Sequence, residues 1–138
     1  MAIAAMITPL VLKDAIVEIE GTDYRKHVSN VTFTPSASSI TWQGLSPDAS
    51  FTDAASTTWT VALTYAQDWT EVQSLSRFLF ENEGDRVAMT FRPKAGEGAS
   101  FSCQVSIVPG AIGGAVNAVA EATVTLGVVG RPQIVPAP

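Results

Sequence analysis

Charge of either sign is scarce in this sequence, and what there is leaves the chain acidic. Only 15% of the residues are charged, where about a quarter is usual, and the formal net charge is −5. Proteins that grip nucleic acid carry clusters of lysine and arginine. The sequence shows no such cluster, so we do not expect direct DNA binding. A surface this poor in charge fits a protein that covers itself with its own copies. It fits a monomer rich in surface serine, threonine and alanine equally well.

The residue types that most metal sites and nucleophilic active sites need are nearly absent. The single cysteine, Cys103, excludes an intrachain disulfide and a thiolate-rich metal site, and its strand-like surroundings favour a buried structural thiol. The single histidine, His27, follows two basic residues and has no orienting carboxylate near it in sequence. We expect it to be exposed on a strand. The carboxylates are scattered, and the closest pair on one strand face, Glu18 and Glu20, comes with no sign of a cleft. The sequence therefore predicts no enzyme activity, no metal and no cofactor.

The sequence also lacks an apolar run long enough to span a membrane. Residues 1–13 are moderately apolar, but Pro9 interrupts them and no basic segment precedes their apolar part. We interpret residues 1–13 as an unprocessed N-terminal arm of a single-domain protein with no membrane partner. The last residues, 131–138, are predicted to form an extended C-terminal tail.

What the sequence does contain is apolar residues in alternate positions, the pattern of half-buried β-strands. A turn over residues 21–23 should return the chain from Tyr24 onwards as the antiparallel partner of the first strand, through Val31 and Phe33. The predicted fold class is mainly β, a β-sandwich or barrel-forming domain with one helix. Five runs follow the alternation clearly: residues 15–20, 58–67, 86–92, 101–107 and 118–128.

One stretch, residues 69–82, predicts an α-helix. Asp68 and Glu71 have the spacing of a capping box. At 1.5 Å per residue the helix would be roughly 21 Å long, enough to cover one open side of the strands. The side chains expected to pack on those strands recur at helical spacing: Val72, Leu75 and Leu79.

Residues 35–57 stand outside this pattern because they are too long and too apolar for an ordinary solvated loop. Within them, residues 38–45 are predicted as a strand or hairpin arm that extends from the body and is buried by a neighbouring subunit. The alternative is that Trp42 and Phe51 fold back over their own core. The candidate interface residues are the four large apolar side chains of the segment: Ile40, Trp42, Leu45 and Phe51.

Three stretches, taken with the order of the elements, point to a family. They are TTWTVALTYAQDW at residues 57–69, SLSRFLFENEGDRVAMTFRP at 74–93 and AEATVTLGVVGRP at 120–132. The order is an arm, a hairpin, a long loop, a strand, one helix, three strands and a short tail. This arrangement, over residues 12–132, resembles the tail tube (major tail) proteins of siphophages and the similar tube proteins of contractile injection systems.

The resemblance implies a structural virion protein that forms hexameric rings. Their strands would join into a continuous inner β-barrel, and the rings would stack through residues 35–57 and the arm into a tail tube around the tape-measure protein. The tube would be assembled in the host cytoplasm, meet tail terminator and distal tail proteins at its ends, and conduct DNA without binding it specifically. Joining sheets across subunits would also remove exposed strand edges. Lumen side chains should be small, polar, and neutral or acidic, and the candidates are Thr60, Thr64, Ser102, Gln104, Ser106, Thr123 and Thr125.

Two other interpretations remain open. Another phage tail component, such as a tail terminator or a baseplate-proximal ring, would share the fold but assemble as one ring and stop. A monomeric carbohydrate-binding β-sandwich would need a planar cluster of exposed aromatic side chains. The spacing of Trp42, Trp59 and Trp69 does not favour such a cluster.

Overall fold

A computed structural model of the chain describes residues 1–96 and 98–136, and the fold is mainly β with one helix, as predicted. Most of the strands belong to one antiparallel sheet, and two of them form a separate hairpin. In chain order the elements of the described residues are β1 (Ile16–Ile19), β2 (Thr22–Asp23), β3 (Val28–Ser36), β4 (Ser39–Gln43), β5 (Ser50–Ala54), β6 (Thr58–Ala66), α1 (Leu75–Glu81), β7 (Arg86–Arg92), β8 (Ser100–Ser106) and β9 (Glu121–Val135).

The main sheet has seven strands in the order β2-β1-β7-β8-β9-β6-β3, and it curls over on itself. Phe33 of β3 and Phe91 of β7 lie on strands far apart in that order, yet their ring centroids are 6.0 Å apart. The core therefore lies inside one curved sheet rather than between the two separate sheets of a sandwich.

The core is built from the alternate residues that the sequence pattern picks out. On β6, Val61, Leu63 and Tyr65 are buried, and the residues between them lie on the other face. Strands from both halves of the sheet contribute to the same cluster, among them Ile19 of β1 and Met89 of β7, each fully buried. This confirms the strand predictions over residues 58–67 and 86–92, because burying one face of a strand fixes its alternation.

The first hairpin is shorter than predicted, and its expected long partner strand goes elsewhere. Glu20 and Gly21 both have positive φ, 52° and 83°, which gives the two-residue turn that suits a twisted hairpin. Only Thr22–Asp23 pairs back with β1. A further turn over residues 24–28 then redirects the chain, and β3 pairs with β6, not β1. The prediction was wrong here because β6 offers nine-residue β3 a partner of matching length, whereas β1 has four residues and pairs with β7.

The helix begins later than the sequence predicts, at Leu75 rather than residue 69. Its N-cap is Ser74, whose hydroxyl accepts a hydrogen bond from the backbone N–H of Arg77 at 3.3 Å. Asp68 instead caps an isolated turn before the helix: its carboxylate accepts from the backbone N–H groups of Thr70 and Glu71 at 3.0 and 3.3 Å.

This shift changes which apolar residues reach the core. Leu75 and Leu79 are fully buried as predicted, but Val72 lies before the helix and is 66% exposed, so its place in the apolar stripe was wrong. The spacing of Asp68 and Glu71 occurs both at the start of a helix and in an isolated capped turn, so the sequence does not distinguish these two structures.

Because Ser74 is the true cap, Ser74→Ala should destabilise the protein by about 1 to 2 kcal/mol. The matched variant Asp68→Ala loses only the bonds of an exposed turn and should destabilise it less. Urea unfolding followed by circular dichroism measures both. A larger loss for Asp68→Ala would instead support a helix that begins at residue 69.

The last strand runs beyond the predicted boundary of residue 128 and takes in most of the predicted C-terminal tail. β9 continues to Val135, so residues 131–135 are paired strand rather than free tail; residues 137–138 lie outside the described part. A bulge, in which residues 130–132 lie opposite the single residue Cys103, separates the two halves of its pairing with β8. Gly130 has a φ of +78° and Pro132 has no N–H to donate, so this point resembles a strand end in sequence.

Candidate functional site

The seven predicted lumen residues lie together on the outer face of three adjacent strands. β8, β9 and β6 are neighbours in the sheet, and residues that alternate with the core face outwards. Thr64 lies opposite Thr123, with their hydroxyl oxygens 3.0 Å apart, and Thr125 lies opposite Ala62. We call this surface the hydroxyl face: Thr60, Thr64, Ser102, Gln104, Ser106, Thr123 and Thr125.

The hydroxyl face carries no charge of its own, and its neighbours extend it. β3 adds Thr32 and Thr34 beside β6 in the same register. The nearest charged residues lie at its margins: Glu121 at the start of β9, Arg131 in the bulge, and exposed Arg86 of β7 opposite Ser106. Short hydroxyl side chains bind water well but offer a polyanion such as DNA no cation to hold.

The four predicted interface residues lie on one projecting hairpin made of β4 and β5. Trp42 pairs across the hairpin with Phe51, and Ile40 lies on the same face two residues from Trp42. These three side chains, which we call the hairpin face, are 62%, 58% and 56% exposed, respectively. Leu45 is fully exposed in the connecting loop. The alternative that Trp42 and Phe51 fold back over their own core does not agree with this exposure.

The hairpin is an extension of the main sheet rather than a loose loop. The backbone N–H of Ala55 donates to the carbonyl of Ser38 at 2.7 Å, which carries the pairing from β3 and β6 towards β4 and β5. In the turn, the hydroxyl of Ser46 donates to the carboxylate of Asp48, and this bond lowers the pKa of that carboxyl. Asp48 is therefore firmly ionised at neutral pH.

The N-terminal segment supplies a second exposed apolar element. Residues 1–12 form neither helix nor strand. Monomeric proteins rarely expose so many large apolar side chains in one place. Those exposed are Met1, Ile3, Met6, Ile7, Leu10, Val11 and Leu12.

A groove of about 520 Å³ lies where the ends of the main sheet approach each other, between β1 and β3. We call it the seam groove. Its wall includes the apolar side chains of Val31 and Phe91 and the cations Lys13, Arg25 and Lys26. Sequence reasoning missed it because these cations flank the β1–β2 hairpin and meet the wall formed by Val31 only when the sheet curls. Three cations therefore lie close together in the fold, although the sequence shows no basic cluster.

His27 and Cys103 have structural surroundings. His27 was predicted to be an exposed strand residue, but it lies in the turn before β3 and is half-buried. Its Nδ1 accepts from the backbone N–H of Leu75 at 3.5 Å, and its ring meets Tyr24 edge-on at 5.6 Å. Cys103 is half-buried beside the β9 bulge, and burial raises the pKa of its thiol.

The three tryptophans lie on separate elements. Trp42 is on the hairpin, Trp59 is half-buried on β6, and Trp69 precedes the helix with its ring edge-on to Phe80 at 6.1 Å. Their placement does not produce the shared platform on which a sugar ring would stack.

Over residues 1–96 and 98–136, no group of three histidine, cysteine or carboxylate side chains is arranged to hold a metal ion. No α-helix in those same ranges has the length and apolar character needed to cross a membrane. In comparisons with known proteins, no family model matches the sequence, and no curated protein matches it significantly.

Proposed function

We propose that this chain is a tail tube protein of a long-tailed, non-contractile bacteriophage, a structural virion protein without catalytic activity or cofactor. Its copies form hexameric rings that stack into a hollow tube. The observation that carries the proposal is the hydroxyl face, whose seven side chains across β8, β9 and β6 are polar and uncharged, with the nearest charges only at its margins. Such a wall suits a conduit through which DNA slides without being held.

The edges of the main sheet support closure into a barrel shared between subunits. β3 lies at one end of the sheet, and among the described residues only β6 pairs with it. Its other edge is therefore unpaired, and residues 32–36 of that edge lie outside the seam groove. Exposed strand edges invite pairing with another chain, and a closed barrel removes them. In a ring of copies the hydroxyl face then lines the lumen.

The exposed apolar elements support assembly in the other direction, between rings. The hairpin face and residues 1–12 of the N-terminal arm remain uncovered in one subunit, and large exposed apolar patches mark interaction sites. In the proposed tube they contact neighbouring rings. The other partners of the tube are the tape-measure protein inside it and the terminator and distal tail proteins at its ends. The assembly takes place in the host cytoplasm and ends in the virion tail.

A single-ring component of the same tail, a terminator or a baseplate-proximal ring, is the second candidate because it would share the free edge of β3. Such a component would not need a surface that stacks one ring of its own copies on the next. The exposed hairpin face favours the stacking protein.

The purified protein, concentrated and incubated, should therefore form open-ended tubes visible by negative-stain electron microscopy, with light scattering that rises with concentration. Unpaired edges and uncovered apolar surfaces drive the polymerisation. Closed single rings that do not elongate would select the ring component. A species that stays monomeric across concentration and salt would refute both.

A further inference from the structure

The hairpin is acidic as well as apolar. Residues 35–57 contain no lysine, arginine or histidine, and their only carboxylates are Asp48 and Asp53. Asp53 lies directly across from Ile40, so its side chain shares the face that carries Trp42. One surface therefore combines aromatic rings with a negative charge at its margin.

The seam groove has the complementary character. Lys13 and Lys26 line it, and neither forms an ion pair with a carboxylate in the described part of the chain. Arg25 is different, because Asp14, which also lines the groove, and Asp23 contact it at 3.4 and 3.1 Å. The groove thus combines an apolar wall with two uncommitted cations.

The hairpin and the groove lie at opposite ends of the same strand. The groove is lined by β3 residues 28–31, whereas the hairpin leaves β3 after Ser36 and continues its pairing outwards. At about 3.3 Å per residue, Val31 and Ser36 are roughly 17 Å apart. The hairpin extends away from its own groove, so a groove on another copy is the one that it can reach.

We propose that the hairpin face of one copy docks in the seam groove of the next, with Trp42 and Phe51 against the apolar wall and the hairpin carboxylates beside Lys13 and Lys26. This assigns the stacking contact of the proposed tube and rests on that function. Donor and acceptor surfaces differ and lie at opposite ends of β3, so the contact is head-to-tail and can repeat from one ring to the next. Every subunit of a ring repeats it, which makes a modest contact strong in sum.

Charge reversal tests the pairing. Reversing the groove with Lys13→Glu and Lys26→Glu, or the hairpin with Asp48→Lys and Asp53→Lys, should each raise the critical concentration for assembly by about ten-fold or more, because like charges then meet in the contact. A chain that carries all four changes restores opposite charges and should assemble close to the wild-type concentration. Critical concentration is measured by sedimentation of polymer from full-length protein, and circular dichroism checks that each variant folds.

The matched control reverses two cations away from the groove, Arg86→Glu with Arg131→Glu, for the same change in net charge. It should shift the critical concentration much less than the groove variant. An equal shift would show an effect of net charge alone and overturn the docking.

The outcomes separate this inference from the proposed function. If wild-type tubes form but groove reversal does not change the critical concentration, the docking is overturned and the tube function stands. The same conclusion follows if the variant with all four substitutions has a critical concentration no lower than those of the two double variants. Wild-type oligomers that respond to the reversals without forming tubes support the docking and contradict the tube. A wild-type protein that remains monomeric overturns both.

Discussion

Leu75→Asp should unfold the subunit rather than only block its assembly. Leu75 is fully buried at the first position of α1. The substitution removes about 1.5 to 3 kcal/mol of apolar burial and leaves a carboxylate without a partner, a cost of several kcal/mol more. A negative charge at a helix N-terminus returns at most about 1 kcal/mol at an ordinary site. The net loss is comparable to the whole stability of a small domain, about 5 to 15 kcal/mol.

Far-ultraviolet circular dichroism and urea unfolding measure this effect. The matched control is Val72→Asp, which places the same charge three residues earlier, at a site that is 66% exposed. It should change the free energy of unfolding by no more than about 0.5 kcal/mol. If Leu75→Asp stays folded and fails only to polymerise, the helix is an interface element and not part of the core.

Leu75 and Val72 together show which parts of the fold sequence patterns can predict. Alternation identified the strands because each has one face in the core, and a one-residue slip would expose the whole set. Helical spacing placed Leu75 and Leu79 correctly. It also included Val72, because nothing in the local pattern shows that the turn capped by Asp68 ends before the helix begins.

The features that sequence reasoning missed depend on contacts between distant parts of the chain. β3 pairs with the strand that matches its length. β9 continues past Gly130 because β8 lies alongside it and provides hydrogen-bond partners. The seam groove exists only because the sheet curls. The common orientation of the hydroxyl face could be predicted from local patterns, because its residues alternate with core residues along each strand. The sequence does not show which surface of an assembly this face occupies.

Replacing residues 40–52 with a short glycine–serine linker should leave a folded, soluble subunit that cannot elongate. The segment contributes none of the buried core residues, so the main sheet does not need it. Its removal takes away Trp42 and Phe51, whose burial against a neighbour in the proposed tube would contribute several kcal/mol per subunit at about 25 cal/mol per Å². Thermal unfolding should be little changed, and electron microscopy should show no tubes. A control with Ser39→Ala and Thr52→Ala, on the polar face of the hairpin, should still elongate; tubes from the linker variant would exclude the hairpin from stacking.

Hydrogen exchange tests the same element without altering the chain. An isolated two-stranded hairpin is only marginally stable in water, and β4 and β5 pair only with each other among the described strands. Amides of residues 38–52 should therefore exchange fast in dilute monomer, where the hairpin opens locally at little cost. They should exchange slowly in polymer, where a neighbour covers the hairpin face and excludes water from Trp42 and Phe51. Amides of β6, whose alternate side chains fill the core, should be protected in both states and serve as the internal reference. Equal protection of the hairpin in both states would mean that no neighbour orders it, and the stacking role would then pass to the N-terminal arm.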